Sequence, residues 1–186
     1  MNLLKLNDNK TEALLVGTRT NLTQVKETQI RVGQSTIEFS DRVKNLGVIF
    51  DRELSMEANV SQTIRSCHFQ LRNIGAIRHL LPTSAAHALV RSLVLSRLDF
   101  CNSLLVNISS EQLQRLQRVE NTAARIVMKC KKSSHITPTL IQLHWLPVQA
   151  RVEYKVLSLA YQCYHQLAPT SIGKPRATRA WRLGPQ

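Results

Sequence analysis

Aromatic residues make up only 5% of this sequence, acidic residues number 12 against 25 lysines and arginines, and neither a Cys-x-x-Cys pair nor a long apolar run occurs. Each shortage excludes something. So few rings cannot build a platform on which successive bases of a single strand would stack. Cys67, Cys101, Cys130 and Cys163 lie roughly thirty residues apart, inside or beside apolar helical stretches, which argues against a zinc or dithiol site and predicts four reduced, buried thiols. The longest apolar runs fall far short of the ~20 residues of a spanning helix, and no signal peptide opens the chain, so the expectation is an intracellular protein that crosses no membrane. With 6 glycines, 6 prolines and 43% apolar residues, the chain is neither low-complexity nor a disordered polymer. It is long enough to bury a core, as one domain or two small ones.

The acidic shortage is local. Residues 1–55 hold 8 basic and 7 acidic side chains, a net of +1, so residues 56–186 hold 17 and 5, a net of +12. A positive field over one part of a fold attracts polyanions through counterion release.

The change in charge coincides with a change in period. Thr11 to Val16 reads as a strand closed by Gly17, Thr18 to Lys26 as a polar loop, and Gln29–Val32 with Ser35–Phe39 as a hairpin turning at Gly33-Gln34. Val43 to Phe50 reads as one further strand, interrupted by Gly47. From Ser55, a cap, the pattern is helical: Val60, Ile64, Cys67, Leu71, Ile74 and Leu81 share a face, and Pro82 ends the run. A second, more apolar helix follows from Thr83 or Ser84 through Leu98. Ser109 and Gln112 form a capping box for a third, striped by Leu113, Leu116, Ala123, Val127 and Cys130. Thr137-Pro138 starts a short turn of helix, and Pro147 a final helix with Val152, Val156, Leu159 and Cys163 in phase, stopped at Ala168-Pro169. The tail from Gly173, with Lys174, Arg176, Arg179 and Arg182, has no apolar period and is expected to be disordered.

Gly47 marks either a bulge or a close approach of a nucleic-acid end to the backbone. Arg65 and Arg72 lie seven apart, hence on one helix face, either merely solvated or contacting phosphate. Lys129, Lys131 and Lys132 suit a nuclear address as well as a phosphate contact. His135, His144 and His165 lack ligand partners at metal spacing, Trp145 reads as a core plug that sets the angle of the last helix, and Asp99 is expected to pair with Arg97 or cap a local turn.

Three sets of words, in order, carry a family resemblance: Leu4-Lys5-Leu6-Asn7-Asp8-Asn9-Lys10-Thr11-Glu12; Val43-Lys44-Asn45-Leu46-Gly47-Val48; and Ser96-Arg97-Leu98-Asp99-Phe100-Cys101-Asn102. With Leu116 to Arg125, His135-Ile136-Thr137-Pro138 and Leu143 to Val148, they resemble the carboxy-terminal part of the reverse transcriptase of non-LTR retrotransposons, the jockey-like and chicken-repeat LINE type, over about residues 2 to 169. The resemblance implies that Lys10 belongs to the end of the palm, near an incoming nucleotide. It implies that Lys44, Asn45, Leu46 and Gly47 grip a primer end, and that the helices are a thumb holding the template and primer duplex. The palm's paired aspartates, which would bind Mg²⁺, are expected upstream of Met1. Two-metal phosphoryl transfer needs carboxylates that hold both ions about 4 Å apart, whereas Asp8, Asp41, Asp51 and Asp99 are isolated from one another, so no catalytic residue and no cofactor is expected in this chain. After Pro169 the sequence departs from the family's apolar and arginine-rich continuation.

The sequence therefore predicts an α+β fold: a small antiparallel sheet over 1–54, an antiparallel bundle of about four helices over 55–169, and a basic tail over 170–186. The first functional reading is a non-catalytic piece of an RNA-directed DNA polymerase that keeps primer-end and duplex contacts through Lys10, Lys44 to Gly47, Arg65, Arg72, Lys129, Lys131 and Lys132. Its expected partners are an RNA–DNA or DNA duplex and a palm. The alternative is a free-standing basic helical module that binds nucleic acid without enzymatic activity, and the third reading is an open reading frame with no selected function.

Overall fold

The computed structural model describes residues 10–33 and 35–169; the Leu4 to Asn9 word, Gln34 and the basic tail lie outside the described residues. The fold is α+β: two two-stranded antiparallel ladders, then a helical bundle.

The first ladder pairs β1 (Gln29–Val32) with β2 (Ser35–Glu38), in the hairpin register expected, with Val32 opposite Ser35 and Gly33 at φ 62°. The second ladder corrects the sequence reading. Val43 to Phe50 is not one strand but a hairpin, β3 (Arg42–Asn45) and β4 (Val48–Asp51), with Asn45 opposite Val48. The two residues between them both have left-handed backbone, Leu46 at φ 47° and Gly47 at φ 90°. This is the twist that a two-residue hairpin turn requires. Gly47 is thus a turn residue rather than a bulge, and a leucine before it gives no turn signal in sequence.

Two other expectations fail nearby. Thr11 to Val16 forms no strand, only an isolated parallel bridge between Ala13 and Phe39. Its backbone bonds are instead divided between the ladders: the Ser40 amide donates to the Ala13 carbonyl at 2.8 Å, and the Gly17 amide to the Arg52 carbonyl at 3.0 Å. The expected loop at 18–26 contains a helix, α1 (Arg19–Gln24), because the Thr18 hydroxyl accepts the Asn21 amide as an N-cap.

The bundle begins at α2 (Glu57–Ile77). Its start is fixed by the end of β4: the Asp51 carboxylate accepts the Ser55 amide at 2.8 Å and its hydroxyl at 3.1 Å, while Ser55 Oγ accepts the Glu57 amide. The Asn59 side chain accepts the Ile49 amide at 3.1 Å, which seats the second hairpin on the helix. A short 3-10 turn (Arg78–Leu80) leads to a second rod made of α3 (Thr83–Val90), a π turn (Arg91–Leu95) and α4 (Ser96–Asp99). The third rod, α5 (Ser110–Met128), has the predicted Ser109 cap accepting the Gln112 amide; the Gln112 side chain accepts from Arg115 instead of closing the box. Lys129 ends it in left-handed backbone, leaving Cys130 just beyond the helix. After α6 (Thr137–Gln142) comes α7 (Val148–Tyr164), led by Pro147 as expected. No helix among the described residues is long and apolar enough to cross a membrane.

Short connections make the first two rods antiparallel: Thr83 meets Arg78, and Arg97 meets Ser66. The first and third then run parallel, with Arg115 on Ser61 near their starts and Arg78 on Ile126 and Val127 near their ends. Their buried faces form the core, Val60, Cys67, Leu71 and Ile74 against Leu116, Val119, Ala123 and Val127, with Val90 and Val94 of the second rod. Burying such side chains contributes about 1.5–3 kcal/mol each. Only Cys67 of the four free cysteines is buried, its thiol pushed up to about 11 by desolvation against the opposing pull of Arg97; Cys101 is exposed, and Cys130 and Cys163 are half-buried. Desolvation lowers thiolate content, so Cys67 behaves as a small apolar residue.

Candidate nucleic-acid interface

The β3–β4 turn is exposed at its tip. Leu46 is 88% exposed, and Lys44, Asn45 and Gly47 beside it are exposed as well. A leucine in left-handed backbone, standing in water, breaks two local rules at once. Such positions persist where function holds them. We expect Leu46→Asn to stabilise the chain by about 0.5–1 kcal/mol, because asparagine tolerates positive φ at such turns. If the leucine meets a duplex end, the same change weakens duplex binding severalfold; denaturant unfolding and a binding titration read the two effects, and an unchanged affinity would remove Leu46 from the interface.

Below the turn lies a cleft of about 420 Å³ between the hairpin tip, α2 and the second rod. Gly47 forms part of its rim, where a Cβ would lie 3.4 Å from the Phe100 ring. Its wall is rich in hydroxyls, Thr63 and Ser66 from α2 facing Ser92 and Ser96 from around the π turn. Ser92 and Ser96 donate to the carbonyls of Leu89 and Ser92, local bonds of the kind that accommodate a widened turn. Arg97 donates to the Leu93 carbonyl and the Ser66 hydroxyl and not to Asp99, against expectation. Among the described residues no carboxylate lines the cleft.

Gln62 belongs both to this cleft and to the outer face of α2, where Arg65, Phe69 and Arg72 follow at helical spacing opposite the buried stripe. Phe69 is 57% exposed and stands between the two arginines. Among the described residues the ion pairs join Arg52 to Asp41 and Arg151 to Asp99 and Glu120, and none of them includes Lys44, Arg65 or Arg72. The cleft, lined by both Gly47 and Gln62, is what joins the tip to the outer face.

The other predicted residues lie elsewhere. Lys129, Lys131 and Lys132 are exposed just past α5, whose end Arg78 ties to the far end of α2. Asn59, beneath the tip, and Arg78 are separated by roughly 30 Å of helix at 1.5 Å per residue. Lys10 is exposed, outside the cleft, in the segment that Ala13 ties to Phe39. Sequence reasoning missed Arg97, Phe69 and Phe100; an exposed aromatic between two arginines on one face was the signal available for Phe69.

Carboxylates converge at one place. Arg151 donates to Asp99 at 2.8 Å and to the fully buried Glu120 at 3.3 Å, and Gln117 donates to Glu120 at 2.9 Å. Burial raises the pKa of both acids, opposed chiefly by Arg151. A guanidinium between the two acids serves structure, not metal binding. Among the described residues no three His, Cys, Asp or Glu side chains assemble into a group that could hold a metal ion. Trp145 is the expected core plug: it is 9% exposed, stacks on His87 and donates Nε1–H to its Nε2 at 3.3 Å. Comparison with protein-family models, curated proteins and solved structures returned no match.

Proposed function

We propose that this chain binds a nucleic-acid duplex through its phosphate backbone, as the primer-end and thumb-like portion of a reverse-transcriptase-like polymerase, and performs no phosphoryl transfer itself. The observation that carries the reading is a set of exposed cations, Lys44 at the turn and Arg65 and Arg72 on the outer face of α2, that join no ion pair among the described residues. The contacts assigned to these cations are with phosphates, which carry no sequence information directly, so sequence preference is expected to be weak. Helix α2 spans roughly 30 Å, close to one turn of duplex. The resemblance in the Lys44 to Gly47 word adds the expectation that the turn meets a strand end.

Titration of a labelled RNA–DNA hybrid at several salt concentrations tests this. Three phosphate contacts give a log–log slope on the order of −2 to −3, and charge reversal at Lys44, Arg65 and Arg72 together lowers affinity more than tenfold and flattens the slope. Reversal at Lys131 and Lys132, at the far end of α2, has a smaller effect. Affinity independent of salt, or unchanged by the triple reversal, overturns the proposal.

A further inference from the structure

The last helix is covered along only part of its length. Val148 and Val152, in its first turns, are its buried residues. Beyond them Tyr154, Leu157, Tyr161 and Tyr164 repeat at spacings of three, four and three on one face, and with Leu167 they are between 60 and 83% exposed. They line an open apolar groove of about 770 Å³. Three tyrosines and two leucines in a row are an apolar patch of the size that marks an interaction site, not the scattered exposure of an ordinary surface.

We infer that this face is the seam of a homodimer, in which α7 of one copy packs against α7 of a second. Three observations favour a second copy. The spacing is that of the a and d positions of a paired helix, and it is self-complementary under a two-fold axis, with Leu157 and Tyr161 near the centre facing their own counterparts. Residues 156–169 contain no aspartate, glutamate, lysine or arginine, so this stretch adds no like charge of its own where two chains of net charge +13 approach. It also matches the depletion of charge and enrichment of tyrosine found in interface cores. Finally, at 150–250 Å² per aromatic ring, the five side chains leave on the order of 600 Å² open in each copy. Pairing them would bury roughly 1,200 Å², which reaches the size of specific interfaces. The chain's own residues 170–186 are a poorer cover, with four cations and only Ile172, Trp181 and Leu183 as large apolar side chains.

Sedimentation equilibrium of the full, nuclease-treated chain over a range of concentrations tests the inference. The mass is expected to rise from monomer to dimer with concentration. Leu157→Glu and, separately, Tyr164→Glu are expected to hold it at monomer without lowering the melting temperature in dilute solution, because both side chains stand in water in a single copy. A wild-type monomer at every concentration overturns it. So does a dimer that survives both substitutions, which would put the contact elsewhere, for example at a ladder edge. A monomer whose melting temperature falls in both variants also overturns it, since the chain's own terminal residues would then be covering the groove.

Discussion

Arg78→Met is expected to lower the free energy of unfolding by about 3–5 kcal/mol, a large share of a marginal total. Arg78 is 6% exposed and has no carboxylate partner among the described residues. Its Nε donates to the Ile126 carbonyl at 2.8 Å, Nη2 to the Val127 carbonyl at 2.6 Å and the Thr83 hydroxyl at 3.3 Å, and Nη1 to the Leu81 carbonyl at 2.7 Å. Ile126 and Val127 belong to the last turn of α5, at the negative end of its dipole, where the only backbone donor to Ile126 among the described residues is the Lys129 amide at 3.4 Å. The guanidinium therefore closes α5, starts the second rod and ends the first. Methionine fills the volume but takes the side-chain donor from the buried Val127 carbonyl and the part-buried Leu81 carbonyl, and leaves Ile126 only the long bond from the Lys129 amide at 3.4 Å. Arg78→Lys keeps the charge without the planar fork and should lose less. Urea unfolding measures both; equal loss in the two variants would mean that the planar fork and not the charge matters, and a loss under ~1 kcal/mol would mean that water replaces the donors.

That residue shows what the sequence could and could not reveal. Stripes and caps depend on neighbours a few positions away, so the Ser109 cap, the Pro147 start and the apolar face of α2 were legible, as was the turn at Gly33. The contacts of Arg78 with Ile126 and Val127, and of Arg151 with Asp99, join residues far apart in sequence; charge and period cannot announce them. At the β3–β4 turn, alternation pointed to one strand because Leu46 hides the turn, and only backbone angles separate a glycine that bulges from one that turns. Thr18 was a short polar cap in a polar stretch, a weak signal that its own hydrogen bond makes decisive. Of the candidate interface, the tip residues and the two arginines of α2 were legible as words and spacing. The cleft was not, because its walls come from three elements whose packing brings Gly47, Ser66 and Phe100 together.

Arg151→Met is expected to cost as much as Arg78→Met, about 3–5 kcal/mol near neutral pH, since it leaves the carboxylate of Glu120 buried without its counter-ion. Gln117 remains, but a single amide donor at 2.9 Å does not offset the desolvation of a group with 0% exposure. The loss should depend on pH in a defined direction. Burial already raises the Glu120 pKa above its unfolded value, with Arg151 the main opposing influence; removing the arginine raises it further. A group with a raised folded pKa binds its proton more tightly in the native state. Its contribution is therefore most favourable below the unfolded value and is lost as pH rises through the folded one. Arg151→Met should thus be closest to wild type in mild acid and furthest from it at neutral pH and above. Asp99 contributes less to this dependence, being more exposed and lying within reach of the Lys155 charge. Adding Glu120→Gln to Arg151→Met should recover much of the stability and flatten the profile, because a neutral amide needs no counter-ion and can still bond to Gln117. Denaturant unfolding of the three proteins from mild acid to mild base decides the matter. A deficit in Arg151→Met that is the same at every pH would mean that Glu120 is neutral throughout and that the arginine acts by packing alone.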